Sequence, residues 1–153
     1  MTVFEQIKQL LTEHSADYEV MHHQPVYTSE EAARVRGTSL SSGAKALICK
    51  CDAEMILFVM PANKRLASKA VRREFGWRKM RFATPEEVEE LTGLIPGSIP
   101  PFGRLFGLPT YCDVGLAENE RINFNAGAHA ISINLLYSDY VRIELPRLGT
   151  IAE

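Results

Sequence analysis

Lys45 is the side chain in this sequence best placed for chemistry. It follows Gly43-Ala44 and enters an otherwise apolar segment that continues to Cys51. A lysine that enters a sheet must either extend to water or meet an anion. Three roles therefore stay open: an edge lysine with a solvated tip, a group that binds a substrate anion, and a Schiff-base amine, which requires a lowered pKa.

A second candidate is the stiff segment Pro96-Gly97-Ser98-Ile99-Pro100-Pro101-Phe102-Gly103. Proline has no N–H donor and restricts the residue before it, so the free backbone donors are those of Gly97, Ser98, Ile99, Phe102 and Gly103. Uncommitted amides on a rigid loop suit a cradle for an oxyanion or a carbonyl oxygen. A structural turn packed by Phe102 and Phe106 is the alternative.

Other catalytic arrangements are not evident in the sequence. There is no GxSxG nucleophile motif and no CxxC pair. Cys49 and Cys51 lie two apart on a predicted strand and so share a face, where we expect them to be buried small hydrophobes. His22 and His23 point to opposite faces of a strand. We therefore expect no metal and no cofactor.

Charge is distributed unevenly along the chain. The net charge is −2, yet 8 of the 17 basic residues lie between Lys64 and Arg81, where Glu74 is the only acid. This basic segment carries +7 and the rest of the chain carries −9. The segment is either a face that binds a polyanion or a solvated helix surface balanced by the acids at positions 86–90.

Length and composition indicate the class of protein. The chain has 153 residues, of which 46% are hydrophobic, which favours a single globular domain over residues 1–153. No apolar run approaches the ~20 residues of a membrane span, and the first residues do not resemble a signal peptide. The odd number of cysteines favours a reducing, cytoplasmic location. We expect no membrane partner.

Periodicity and capping signals indicate the elements that must position these groups. Capping boxes predict helices from Val3, over Ser29–Arg36 and from Pro85 to about Leu91, and a further helix is predicted over Ser68–Phe75. Strands are predicted at 17–22, 44–51, 55–60, 79–83, 110–114, 121–125, 129–134 and 141–145, with a helical turn at 136–140. Residues 93–109 are expected to be an ordered loop. The predicted fold is α+β, with a mixed, largely antiparallel sheet flanked by short helices.

Three groups of residues together resemble the YbaK/EbsC family, which includes aminoacyl-tRNA deacylases and the editing insertion of bacterial prolyl-tRNA synthetases. They are His23 to Ala32 with Gly43 to Leu47, then Pro96 to Gly103, then Asn125 to Asp139. The resemblance covers nearly the whole chain in the right order. It implies hydrolysis of the ester that joins a wrong amino acid to tRNA, for example tRNA(Pro) carrying a small amino acid.

The resemblance also implies roles for individual residues. Lys45 matches the lysine that holds the phosphate or ribose end of the substrate, and Gly97, Ser98 and Pro101 belong to the loop whose amides position the aminoacyl carbonyl. The implied substrate-binding residues are Tyr27, Gly127, His129 and Asp139. The tRNA acceptor stem is expected on Lys64, Arg65, Lys69, Arg72, Arg73 and Arg78. No metal is expected, because the family uses the neighbouring ribose hydroxyl of the tRNA to activate water.

Two other functions remain open. Pro100 removes an amide from the loop, which favours a non-catalytic module that binds tRNA or a synthetase. A hydrolase for a small ester or a nucleotide-linked acyl group is the third possibility. The expected partners are therefore the acceptor end of an aminoacyl-tRNA and, as a second candidate, an aminoacyl-tRNA synthetase; no DNA partner is expected.

Overall fold

The computed structural model describes all residues 1–153. The α-helices are α1 (Val3–Glu13), α2 (Ser29–Arg36), α3 (Ser68–Phe75), α4 (Pro85–Thr92) and α5 (Tyr137–Glu144). The strands are β1 (Tyr18–His22), β2 (Ala44–Cys51), β3 (Glu54–Pro61), β4 (Met80–Phe82), β5 (Thr110–Asp113), β6 (Arg121–Asn125), β7 (Ile131–Leu136) and β8 (Arg147–Gly149). None of the helices is long and apolar enough to cross a bilayer.

Local capping explains where the helices begin. The side chains of Thr2, Thr28 and Thr84 each accept a hydrogen bond from the backbone N–H three residues later. The Glu87 side chain also accepts a hydrogen bond from the Thr84 backbone N–H, which completes a capping box. The predicted starts of α1, α2 and α4 are therefore confirmed.

The strands form two sheets rather than one. A three-stranded antiparallel sheet has the order β1-β7-β6, and a five-stranded mixed sheet has the order β4-β2-β3-β5-β8. The β2–β3 hairpin is antiparallel as predicted, whereas β5 and β8 add in parallel. A single isolated bridge between Gly43 and Asn123 links β6 to the residue before β2. The mixed α+β class is confirmed, and the expectation of one sheet is wrong.

Two apolar clusters hold these layers together. The larger cluster packs the two sheets against α1, α4 and α5, and it includes Ile48, Leu57, Phe124 and Tyr140. The smaller cluster lies on the other face of the five-stranded sheet, where Val71 of α3 packs. Cys49 and Cys51 belong to the smaller cluster, and burial raises the pKa of their thiols to about 12 and about 11. Their prediction as buried hydrophobes is confirmed.

The C-terminal region differs from its prediction. Residues 137–144 form one helix, α5, instead of a helical turn followed by a strand, and the last strand is β8. The β-branched residues Val141 and Ile143 favour a strand locally. Tyr140 and Ile143, three residues apart, are both fully buried in the larger cluster, so packing on one helical face decides the conformation.

Candidate functional site

A cleft of about 240 Å³ lies between α2, the start of β2, the loop at Gly97 and the end of β6. Four of the site residues predicted from the sequence line it, namely Tyr27, Lys45, Gly97 and His129. No Asp or Glu lines it. No group of three His, Cys, Asp or Glu side chains is placed to hold a metal ion. The cleft is therefore a positively charged cavity.

Lys45 is a half-buried cation at one wall of the cleft. It lies opposite Met60 of β3, so its side chain leaves the sheet on the face that α3 covers. Its Nζ donates a hydrogen bond to the Lys64 carbonyl oxygen. Burial lowers the pKa of the ammonium, and the negative charge of Glu30 partly offsets that effect. No carboxylate lies within ion-pair distance, so the charge is held in place but not neutralised.

Two amides of the Gly97 loop have no hydrogen-bond partner in the protein. The N–H groups of Gly97 and Ile99 make no hydrogen bond, and both residues line the cavity. The Asn125 side-chain amide donates to the Gly97 carbonyl at 2.7 Å, which fixes the loop. The amides of Ser98 and Gly103, expected to be free, are committed to the Ile95 carbonyl and the Thr110 hydroxyl. The amide cradle is therefore smaller than the sequence predicted.

His129 faces Gly97 across a close contact. A Cβ placed on Gly97, whose φ is +93°, would lie 3.2 Å from the His129 Cε1. The His129 Nδ1 lies 3.0 Å from the Val26 carbonyl, which can only accept, so Nδ1 carries the hydrogen. The buried Nε2 has no partner and, in the neutral ring, offers a lone pair. Tyr27 covers the ring at a centroid distance of 4.9 Å.

Four predicted site residues, Ser98, Pro101, Gly127 and Asp139, do not line the cleft. The Ser98 hydroxyl is buried and donates to the Ile95 carbonyl at 2.8 Å. The Pro101 carbonyl accepts from the buried Tyr140 hydroxyl at 2.8 Å, and the Gly127 N–H donates to the Ser98 carbonyl at 3.0 Å. Asp139 on α5 pairs with Arg142 at 2.8 Å. Ser98, Pro101 and Gly127 thus make hydrogen bonds that hold the loop, whereas Asp139 lies on α5.

The basic segment lies outside the cleft lining. Its predicted contact residues are largely exposed, and Lys69, Arg72 and Arg73 lie on α3. Val71 of α3 packs in the same apolar cluster as Met60, the cross-strand neighbour of Lys45. The basic helix and Lys45 therefore occupy the same face of the five-stranded sheet.

Two residues of the cleft, Arg36 and Asn125, were not predicted from the sequence. Arg36 donates from Nε to the Ser132 hydroxyl and from Nη2 to the Asn125 carbonyl oxygen, each at 2.8 Å. Burial lowers the pKa of its guanidinium to about 10. In the sequence, Arg36 resembles any cation in the last turn of a helix. Asn125 begins one of the segments that resemble the family, and that position is the signal that could have found it.

Comparisons with known proteins identify the family to which the chain is similar. The profile of a family described as "Aminoacyl-tRNA editing domain" matches residues 23–143. The chain is 36% identical over 144 residues to the multifunctional Ser/Thr-tRNA deacylase ProXp-y of Escherichia coli (strain K12), covering 91% of this chain and 86% of that protein. It is 33% identical over 109 residues to proline–tRNA ligase of Shouchella clausii (strain KSM-K16), covering 69% of this chain but 19% of the ligase.

Solved structures share the fold. The crystal structure of hypothetical protein APE2540 superposes with a TM-score of 0.88 at 23% identity, covering 97% of this chain and 99% of that one. A structure described as a candidate trans-editing enzyme for prolyl tRNA synthetase gives a TM-score of 0.86 at 23% identity, covering 100% and 98% of the two chains. At this level of identity, both likenesses concern the fold alone.

Proposed function

The chain belongs to the aminoacyl-tRNA editing domain family, and we propose that it is a deacylase that hydrolyses, in trans, the ester of mischarged tRNA. One observation carries the proposal: Lys45, Gly97 and Ile99 line the same cleft, and the N–H groups of Gly97 and Ile99 have no partner in the protein. A cation and two preorganised donors suit a substrate that is anionic at one end and develops an oxyanion at the other.

The reaction mainly requires that the protein position the substrate and the attacking water. An aminoacyl ester is already activated, so binding, water placement and oxyanion donors supply the rate enhancement. Each donor aimed at the developing charge is worth about 2.7–4 kcal/mol. No Asp, Glu or Cys lines the cleft, and the Nε2 of its one histidine, His129, is buried, so we assign the activation of water to the ribose hydroxyl beside the ester.

The cleft also favours a particular kind of amino acid. The relative from Escherichia coli (strain K12) is named a multifunctional Ser/Thr-tRNA deacylase. The His129 ring lines the cleft beside Gly97, where it limits the space for an aminoacyl side chain. The cavity of about 240 Å³ must also hold part of the nucleotide, which restricts the amino acid to a small one. We therefore propose seryl and threonyl esters as the first substrates.

The test is deacylation of a panel of tRNAs charged with serine, threonine, alanine or their correct amino acid. Lys45→Ala is expected to lower kcat/KM by at least about 10-fold, the value of a charge-assisted hydrogen bond. Lys50→Ala is the matched control, because Lys50 lies on the same strand and does not line the cleft. Folded protein that hydrolyses none of the esters would reject the proposal.

A non-catalytic tRNA-binding module is the second candidate. The observation that favours it is the reduced cradle, since Pro100 has no N–H and the Ser98 amide is already committed. Salt-dependent binding of tRNA without any hydrolysis would select this function over the first.

A further inference from the structure

A continuous chain of side-chain hydrogen bonds runs from the residue after β1 to the Gly97 loop. The His23 Nε2 lies 2.8 Å from the Ser132 hydroxyl, and that hydroxyl accepts from the Arg36 Nε at 2.8 Å. Arg36 and Asn125 continue the chain to the Gly97 carbonyl oxygen through bonds of 2.8 Å and 2.7 Å. Gly97 lines the cleft, whereas His23 and Ser132 do not. The chain therefore connects the cleft to residues outside it.

The donors and acceptors at His23 give this chain one direction. The His23 Nδ1 lies 2.7 Å from the Gln24 carbonyl oxygen, which can only accept, so Nδ1 carries the hydrogen. In the neutral ring, Nε2 then accepts from the Ser132 hydroxyl. The single hydrogen of that buried hydroxyl points to His23, and the oxygen lone pairs stay available to the Arg36 Nε, which can only donate.

Backbone hydrogen bonds join the same region to the wall of the cleft that carries His129. The His23 N–H donates to the Ala130 carbonyl at 2.9 Å, and the Val26 N–H donates to the His129 carbonyl at 3.0 Å. The His129 ring in turn donates to the Val26 carbonyl at 3.0 Å. His23 is thus held on its backbone side as well, which fixes the position from which its ring reaches Ser132.

We propose that His23 is a positioning residue of the deacylase. It orients the Ser132 hydroxyl, which fixes Arg36 and, through Asn125, the Gly97 loop. The inference rests on the proposed function, because that function assigns the Gly97 N–H to the developing oxyanion. A misdirected donor weakens stabilisation of the transition state and leaves the groups that bind the rest of the substrate in place. His23 therefore acts on kcat and not on KM.

Steady-state deacylation of seryl-tRNA or threonyl-tRNA by variants at position 23 tests this role. His23→Phe keeps a ring but removes both nitrogens, and it is expected to lower kcat by about 10-fold with KM within about twofold, since misplacement of reacting groups by about 1 Å costs up to about 100-fold. His23→Gln supplies an amide oxygen that accepts from Ser132, so it should recover most of the loss. His22→Phe is the matched control, because His22 is exposed and its ring contacts Phe4.

A double variant tests whether the effect passes along the chain. His23→Phe and Asn125→Ala interrupt the same series of hydrogen bonds, so together they should lower kcat little more than Asn125→Ala does alone. A loss in the double variant equal to the product of the two single losses would overturn the proposal. An unchanged kcat in His23→Phe, or a loss confined to KM, would overturn it too.

The Gly97 amide resonance in NMR spectra of the full chain gives a readout that does not depend on activity. It should shift in His23→Phe and Ser132→Ala and stay in place in His22→Phe; an unshifted resonance in the first two variants would contradict the proposal. If His23→Phe does not fold, Ser132→Ala decides by the same kinetic and spectroscopic criteria. If the unaltered protein hydrolyses no ester while the resonance still responds, the proposed function is rejected and the positioning of the loop by His23 stands.

Discussion

Replacing Gly97 by alanine should impair the deacylation step far more than it impairs folding. Gly97 has a φ of +93° and no Cβ, and the His129 Cε1 packs close to it. A Cβ placed on Gly97 would lie only 3.2 Å from that carbon atom. An alanine side chain at position 97 must displace either the Gly97 loop or the His129 ring. Since the Gly97 N–H has no partner in the protein and Gly97 lines the cleft, a shift of the loop misdirects a donor available to the substrate.

Gly97→Ala is expected to change both the stability of the protein and the rate of hydrolysis. A left-handed conformation costs an L-residue about 1–2 kcal/mol, which lowers the free energy of unfolding. Loss of one oxyanion donor costs about 2.7–4 kcal/mol, or roughly 100–1,000-fold in rate. Because the loop is displaced and the donor is not deleted, we expect a loss near the lower end of that range, about 100-fold in the rate constant of hydrolysis.

Gly93→Ala is the matched control. Gly93 has a φ of +74°, and a Cβ there would meet nothing within 4 Å. Both variants should therefore lose similar stability in urea unfolding, about 1–2 kcal/mol. Single-turnover deacylation with enzyme in excess reports the hydrolysis step directly, and Gly93→Ala should stay within about twofold of the unaltered protein.

Equal rates of ester hydrolysis in Gly97→Ala and Gly93→Ala would refute this role of Gly97. A second check is the double variant with His129→Ala. Removing the ring removes the steric conflict, so the two substitutions should be non-additive by more than about 0.5 kcal/mol. Strict additivity would show that the His129 contact does not transmit the effect.

Three further outcomes are expected. Burial lowers the pKa of Lys45, and the negative charge of Glu30 raises it, so Glu30→Gln should lower that pKa further. KM should therefore begin to rise at a lower alkaline pH in Glu30→Gln than in the unaltered protein. Coincident pH profiles of KM would contradict this. Burial raises the pKa of Glu144 from 4.5 to about 6, despite its hydrogen bond from Thr110. This carboxyl stays protonated in the folded state while the unfolded chain ionises, so stability falls as the pH rises from about 4.5 to 6. Glu144→Gln should flatten that slope in urea titrations and gain about 2 kcal/mol at pH 7, and an unchanged slope would refute the assignment. Neutralising Lys69, Arg72 and Arg73 should weaken tRNA binding. It should also lower the slope of the salt dependence of binding by about one for each phosphate contact that is lost. Lys8→Gln on α1 is the control and should change neither the affinity nor the slope.

Local sequence determined most of the secondary structure. The threonine caps at positions 2, 28 and 84 act within three residues, so they can be identified from the sequence without knowledge of the fold. The β2–β3 hairpin is equally local, because two apolar segments are separated by a short turn. Lys45 and the Gly97 loop stood out because a lysine in an apolar strand and a proline-rich loop are unusual in themselves.

Only the tertiary structure decided which of these residues meet. The hydrogen bonds that build the cleft join Arg36 to Asn125 across 89 positions and Asn125 to Gly97 across 28 positions. Such pairings depend on how the two sheets pack, and no local pattern encodes them. The same packing turned the Ser98 hydroxyl away from the cleft and made residues 137–144 a helix, because burying Tyr140 and Ile143 together outweighs the local preference for a strand.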